Sequence, residues 1–76
     1  MKSSYDKKVD AAYIQISTEI IFGGVAKTYP CDPIEVCGQI NLDFDHEGRL
    51  VGIEILDASK KLPPEFFREI DGTTRG

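Results

Sequence analysis

The clearest hydrophobic pattern in the chain lies in residues 34–45, where apolar and polar positions alternate. Ile40, Leu42 and Phe44 fall on one face of this segment, and polar residues separate them. A period of two is typical of a β-strand with one buried face. The segment is long for a single strand, and Gly38 is a natural point for a bulge or a break. We therefore expect the well-defined strand over residues 39–45.

The same alternation resumes in residues 49–56, which place Val51, Ile53 and Ile55 on one face. A short polar connection separates the two segments, and it ends in Gly48. A tight loop of about three residues needs one position with a positive φ, which glycine adopts without steric cost. The two segments are therefore predicted to form a β-hairpin that turns at Gly48.

Weaker alternation upstream predicts further strands. Residues 12–17 are predicted to form a strand that directs Ile14 and Ile16 to the core, with Tyr5 in a short first strand. Residues 19–22 either extend the second strand or begin a loop. After two glycines, residues 25–29 are predicted to form a third strand, and the two prolines that follow indicate an irregular link.

The C-terminal part of the chain changes from strand to helix periodicity. Pro63 or Pro64 suits the first turn of a helix, and residues 65–70 make about two turns. Phe66 and Ile70 are four apart and share a face. Together, these elements predict an α+β fold, a small antiparallel β-meander of about four to five strands with one short C-terminal helix. We expect a single small domain over residues 1–70, with residues 71–76 as a disordered tail.

Size and charge narrow the possible functions. With 76 residues, of which 41% are hydrophobic, the chain has room for one domain with a small core. A marginal core favours oligomerisation. The net charge of −4 disfavours a nucleic acid partner. No apolar run approaches the ~18 residues of a membrane helix, and the polar N-terminus does not resemble a secretion signal, so we expect a cytoplasmic protein.

The hairpin carries an acidic motif. Counted from Asp43 as the first position, Asp45 is third, Glu47 is fifth and Glu54 is twelfth, which nearly matches the ligand spacing of an EF-hand calcium loop. An EF-hand loop lies between helices, whereas both flanks here alternate as strands do. The stronger interpretation is a set of solvated turn carboxylates, with Arg49 pairing across the turn. Weak calcium binding by these four carboxylates is the alternative.

Cysteine and histidine suggest no strong chemistry. Cys31 and Cys37 do not have the spacing of a zinc-binding pair. Together with His46 they would supply three ligands, so a tetrahedral zinc site would also need a carboxylate. Two free thiols are the simpler interpretation. A cysteine–histidine catalytic pair would lack a third residue to orient His46. We therefore predict no catalytic residues, no metal site and no cofactor.

Two stretches of the sequence resemble a known family. Residues 41–59 read NLDFDHEGRLVGIEILDAS, and the start of the chain combines Tyr5-Asp6 with Asp10-Ala11-Ala12-Tyr13-Ile14. Both resemble a family of small prokaryotic proteins catalogued as a domain of unknown function, with the signature LDxDxxGRLVGIEILDAS. The resemblance implies a small antiparallel sheet with a terminal helix. It also implies an antitoxin-like or partner-binding role, and it provides no catalytic residues.

Three classes of function follow from these observations. The first is a non-catalytic protein-interaction module, either a homo-oligomer or one that binds a small protein partner. The second is a small-ligand or metal-ion binding module that uses the acidic hairpin. The third is an enzyme whose site is completed at an oligomer interface, which is the weakest because no nucleophile–base pair is visible.

Overall fold

A computed structural model describes residues 1–17 and 24–71 of the chain. The interpretation of residues 19–22 and the predicted tail beyond Asp71 lie outside these ranges. In chain order, the described elements are β1 (Lys2–Asp6), β2 (Ala11–Gln15), β3 (Lys27–Pro30), α1 (Pro33–Val36), β4 (Ile40–Phe44), β5 (Leu50–Leu56), α2 (Ala58–Lys61) and α3 (Pro64–Asp71). The predicted α+β class is confirmed.

The five strands form one open antiparallel sheet in the order β1-β2-β5-β4-β3. Strands β3, β4 and β5 follow one another as a meander. The β1–β2 hairpin then pairs with the free edge of β5, so the last strand of the chain lies at the centre of the sheet. This position suits β5, because its apolar residues pack against neighbours on both sides.

The β4–β5 hairpin forms as the alternation predicts. Gly48 has a φ of 80° in the connecting turn, and the N–H of Asp45 donates to the carbonyl of Arg49 at 2.9 Å. The strand begins at Ile40, after the break expected at Gly38. The register shift in this hairpin lies instead between Asp43 and Phe44.

The irregular link expected between Pro30 and Pro33 is present at Cys31 and Asp32, and a single helical turn that the sequence interpretation did not predict follows it. Asp32 accepts a hydrogen bond from the N–H of Ile34 at 2.9 Å, and Pro33 occupies the first helical position of α1. Cys37 then adopts the left-handed conformation that ends the turn. An acidic N-cap followed by proline is a recognised start signal for a helix.

A second helical turn, α2, follows β5 where the sequence predicted only the end of the strand. Asp57 adopts a left-handed conformation with φ 53°, which turns the chain out of the sheet. The helix predicted after Pro63 is present as α3, and it continues through Asp71. The sheet therefore has two short helices at its C-terminal side and not one.

The core lies between one face of the sheet and these two helices. Its buried centre is Ala12, Ile55 and Ala58, and partly buried apolar side chains surround this centre, namely Tyr5, Ile14, Ile40, Ile53, Leu62, Phe66 and Phe67. Ile16 was expected in the core, but it lies beyond the end of β2 and is 37% exposed. The opposite face of the sheet has no described helix and carries mainly polar residues.

Candidate functional site

The polar face of the sheet brings together side chains from three strands around Asp43. The Tyr13 hydroxyl donates to Asp43 Oδ2 at 2.7 Å, and the Thr28 hydroxyl donates to Asp43 Oδ1 at 2.7 Å. The register explains this arrangement, because Asp43 on β4 is paired with Thr28 on one side and with Gly52 on the other. Asp43 is therefore a shared acceptor on the polar face.

Gly52 allows Tyr13 to reach Asp43. Tyr13 is paired with Glu54, two residues beyond Gly52 along β5, and its ring leans over Gly52. A Cβ atom at Gly52 would overlap the Tyr13 hydroxyl. Gly52 therefore admits a close approach by the side chain of Tyr13.

Tyr13 is held strongly in its neutral form. Its pKa is raised to about 12, first because burial disfavours the phenolate and then because the hydroxyl donates to the Asp43 carboxylate. Nearby negative charge on Asp43 and Glu54 acts in the same direction. A tyrosine with so high a pKa is a stable hydrogen-bond donor and a poor general base at neutral pH.

Glu54 forms a second polar pair on this face. Its Oε1 atom accepts a hydrogen bond from the Asn41 side-chain amide at 2.9 Å, and the two residues are directly opposed in the β4–β5 register. As the alternation predicted, Glu54 lies on the face opposite Ile53 and Ile55. Its carboxylate is therefore oriented by a neighbouring strand rather than directed into the hairpin turn.

Asp45 organises the turn of the hairpin. Its Oδ1 atom accepts the backbone N–H groups of Glu47 and Arg49, each at 2.9 Å. Arg49 Nε donates to Asp45 Oδ2 at 2.9 Å, and Arg49 also pairs with Glu47 at 3.2 Å. These bonds, led by the backbone N–H of Arg49, lower the pKa of Asp45. The predicted ion pairs across the turn are confirmed.

The four carboxylates of the acidic motif are thus divided among separate roles. Asp43 bonds to side chains on the polar face, Glu54 bonds to Asn41, and Asp45 with Glu47 stays in the turn. Within residues 1–17 and 24–71, no three histidine, cysteine, aspartate or glutamate side chains are grouped as a metal site would require. Calcium binding would have to compete with the hydrogen bonds already made.

The cysteines form no disulfide. Cys31 is half-buried after β3, and Cys37 is exposed at the end of α1, where its thiol contacts the carbonyl of Ile34 at 3.8 Å. His46 lies in the hairpin turn and lines an open depression with Lys27, Phe44 and Asp45. The free-thiol interpretation is confirmed for both cysteines.

Asp10 joins a turn between two strands to α2, and the sequence interpretation used it only as part of the family resemblance. Its Oδ1 atom accepts the Tyr5 hydroxyl at 2.6 Å and the backbone N–H of Ser59 at 2.9 Å. Its Oδ2 atom accepts the Ser59 hydroxyl at 2.7 Å, and its carbonyl accepts the N–H of Ala58. Asp10 therefore caps α2 from a distant turn, whereas Asp57 at the N-cap makes no side-chain capping bond.

These bonds set the protonation of the group. Hydrogen bonds from Tyr5 and then from Ser59 lower the pKa of Asp10, and the bond to Asp10 raises the pKa of Tyr5. The proton of this pair therefore stays on the tyrosine. A carboxylate with a lowered pKa is a poor base for a serine hydroxyl. The arrangement fits a structural link better than a catalytic dyad.

The residues that the sequence interpretation missed had only partial signals in the sequence. Asp10, Ala58 and Ser59 all belong to the two matched stretches, but nothing in the sequence indicated that the stretches meet. Thr28 and Asn41 join the polar face through strand register alone. Their signal was the alternation that places them on the face opposite the core.

The fold and the polar clusters define a class, a small α+β protein built on an open five-stranded antiparallel sheet. The described residues include no helix of the length and apolar character needed to cross a membrane. The chain belongs to the family described as "Protein of unknown function (DUF2283)", whose model matches residues 2–59. No curated protein and no solved structure matches the chain. The matched span contains both Asp10 and Ser59, which hydrogen bonds join.

Proposed function

We propose that the protein is a non-catalytic interaction module that forms a homodimer through the apolar face of its sheet. The observation that carries the proposal is a row of apolar side chains, Ile14, Ile53, Leu42 and Tyr29, which the register aligns across β2, β5, β4 and β3. We call this set the apolar row. It ends at Tyr29, which is 52% exposed.

The helices cover the other end of the same face. Among the described elements, α3 packs against β1 and α2 packs against β5. The apolar row extends away from both helices towards the β3 edge, and its first three members are only half-buried. Apolar side chains left partly open in one contiguous row are typical of an interaction surface.

The edge of β3 is a less suitable interface than the face. Cys31 donates its backbone N–H to the carbonyl of Ile40 at 2.8 Å, so that pair is hydrogen-bonded. Because bonded and non-bonded pairs alternate in an antiparallel ladder, the backbone groups of Thr28 and Pro30 lie on the outer edge. Proline has no N–H, so β3 has a single outward donor. Such an edge disfavours strand addition.

A second copy is favoured as the partner because the isolated chain has little core. Of the described residues, only Ala12, Val51, Ile55, Ala58 and Ile70 are buried hydrophobics, and no large side chain is fully buried. A chain of this size buries only about 60% of its unfolded surface on folding, and a second copy that covers the apolar row would bury more.

The proposal includes no catalytic role because the candidate polar groups already bond to one another. The hydroxyls of Tyr5, Tyr13 and Ser59 all donate to carboxylates of the same chain. The carboxylates Asp10 and Asp43 each accept more than one such bond. Groups engaged in this way stabilise the contacts between strands and helices, and they supply neither an activated nucleophile nor a base.

Light scattering coupled to size-exclusion chromatography tests the proposal. We expect the purified chain to elute with twice its monomer mass, and Tyr29→Lys to shift the equilibrium towards monomer because it places a charge at the end of the apolar row. Thr28→Lys is the matched control, because the same side chain then lies on the opposite face of the same strand. It should leave the dimer intact.

Other outcomes assign the surface differently. A wild-type monomer at high concentration would overturn the homodimer. If the monomer instead co-purifies with one small protein at equal stoichiometry, and Tyr29→Lys abolishes this complex, the apolar row serves a different partner, as an antitoxin-like role requires. Equal loss of the dimer in both variants would exclude the apolar row as the interface, provided that circular dichroism shows both variants folded.

A further inference from the structure

A separate cleft lies between β1 and the two C-terminal helices, on the side of the molecule away from the exposed end of the apolar row. Its volume is about 400 Å³. This volume is within the range of small-molecule sites, which are usually concave, mainly apolar and provided with a few polar groups. None of the four acidic-motif residues lines it.

The wall of the cleft is apolar and partly aromatic. It is formed by Tyr5, Leu62, Pro64, Phe67 and Ile70. Tyr5 and Phe67 meet edge to face with ring centroids 4.8 Å apart, and Phe67 is in turn held by Phe66. The packing of these rings fixes one side of the cleft, so the wall does not depend on side chains free to rotate.

The polar end of the cleft is formed by Lys7 and Ser59. The Ser59 hydroxyl already donates to Asp10, whose carboxylate also accepts bonds from Tyr5 and from the Ser59 backbone. The donors of Ser59 are therefore used. Lys7 is the only charged side chain in the lining, and within the described residues its ammonium group makes no hydrogen bond or ion pair.

We propose that this cleft binds a small amphipathic organic acid. The apolar body of the ligand lies against Tyr5, Phe67 and Ile70, and its carboxylate pairs with the Lys7 ammonium at the polar end. An apolar wall that ends in one unpaired cation matches a monoanion with an apolar body. A neutral molecule would leave the cation without a partner, and a polyanion would have only one cation to pair with.

The site is independent of the proposed homodimer. The cleft is lined by β1, the turn after it, α2 and α3, whereas the apolar row crosses β2, β5, β4 and β3. A monomeric chain retains the whole cleft. Ligand binding can therefore fail while the dimer stands, and the reverse also holds.

Nuclear magnetic resonance titration with decanoate, below its micelle concentration, tests the proposal. We expect saturable shifts of the backbone amides of Ser59, Phe67 and Ile70, with smaller shifts along β3. Lys7→Gln should weaken decanoate binding by about two- to fivefold, the range typical of one exposed ion pair. Lys8→Gln is the matched control, because Lys8 neighbours Lys7 but does not line the cleft.

The ligand series tests the apolar wall without altering the fold. Octanoate should bind more weakly than decanoate, by about fourfold for each methylene removed from contact. Decanol, which lacks the charge, should bind the wild type and Lys7→Gln equally. The proposal is overturned if decanoate shifts no cleft amide at millimolar concentration, if both lysine variants bind it alike, or if the shifts cluster on the apolar row.

Discussion

The Tyr13 hydroxyl lies in the space that a Cβ atom at Gly52 would occupy, so a tyrosine on β2 and a glycine on β5 depend on each other. The φ of Gly52 is not among the positive values of the chain. Its backbone would therefore accept a side chain, but the three atoms nearest to the Cβ position all belong to Tyr13. The same ring position lets Tyr13 bond to Asp43 on the next strand.

Replacing Gly52 should therefore reveal this dependence. Gly52→Ala is expected to lower the free energy of unfolding by about 1–3 kcal/mol, the usual cost of forcing extra volume into a packed site. In a Tyr13→Ala background, the same substitution should be neutral or stabilising by about 0.5 kcal/mol, because alanine loses less backbone entropy than glycine. Urea denaturation of the four proteins measures the coupling, and additive effects would contradict it.

Ionisation of Tyr13 should destabilise the fold at alkaline pH. Its pKa is about 12 in the folded protein and 10.0 in the reference state. The stabilisation is therefore complete below pH 10.0 and is lost as the pH rises towards about 12. Tyr13→Phe should flatten this part of the pH profile measured by urea denaturation.

Tyr5→Phe provides a comparison for this profile, because the pKa of Tyr5 is also raised, chiefly by its bond to Asp10. Each single variant should remove part of the loss of stability at alkaline pH, and the double variant should remove more of it than either single variant. A Tyr13→Phe profile that runs parallel to the wild type throughout this range would show that the phenol contributes nothing to it.

Two aspartates with nearly the same positive φ should respond oppositely to replacement by glycine. Asp10 and Asp57 have φ values of 55° and 53°. Asp57→Gly is expected to raise the free energy of unfolding by about 0.5 kcal/mol. Glycine removes the strain of the left-handed conformation, and this gain exceeds the cost of the greater entropy of glycine in the unfolded chain. Asp10→Gly should lower the free energy of unfolding, since Tyr5 and Ser59 lose their acceptor. Thermal denaturation of both variants provides the test, and equal signs would mean that the Asp10 carboxylate does not stabilise α2.

Gly48 should be sensitive to substitution, but for a different reason from Gly52. Its φ is 80°, and none of the described atoms lies within 4 Å of its Cβ position. Gly48→Ala is expected to cost about 1 kcal/mol through backbone strain alone. Gly48→Asn should cost less, because asparagine adopts this region more readily. Chemical denaturation distinguishes the two, and a larger loss for Gly48→Asn would point to a steric cause.

The hairpin and α3 were accessible from the sequence because their signals are local. Alternation around Gly48 specifies which residues face the core, and it also requires a turn with positive φ between the strands. Phe66 and Ile70 identify α3 by their spacing. The two missed helical turns are too short for any periodicity, so only their caps were available as signals, and the Asp32–Pro33 pair was interpreted as a link.

The candidate sites depended on contacts that the sequence does not encode locally. The acidic spacing from Asp43 to Glu54 suggested one cluster. Asp43, however, lies within β4 and bonds to side chains of neighbouring strands, whereas Asp45 lies beyond the end of β4 and bonds within the turn. Lys7 carried no signal at all, because a lysine in a polar turn is usually solvated. Its position in the lining of a cleft arises from the packing of α3 against β1.

Local patterning was thus sufficient for the fold class, the central hairpin and the identity of the core face, because each follows from the alternation of neighbouring residues. The strand order, with β5 between β2 and β4, required the folded chain. So did the hydrogen bonds from Ser59 to Asp10 and from Tyr13 to Asp43. These contacts join residues 49 and 30 positions apart. They form only when burying the apolar face compensates for the entropy of closing long loops, which is a property of the whole sheet.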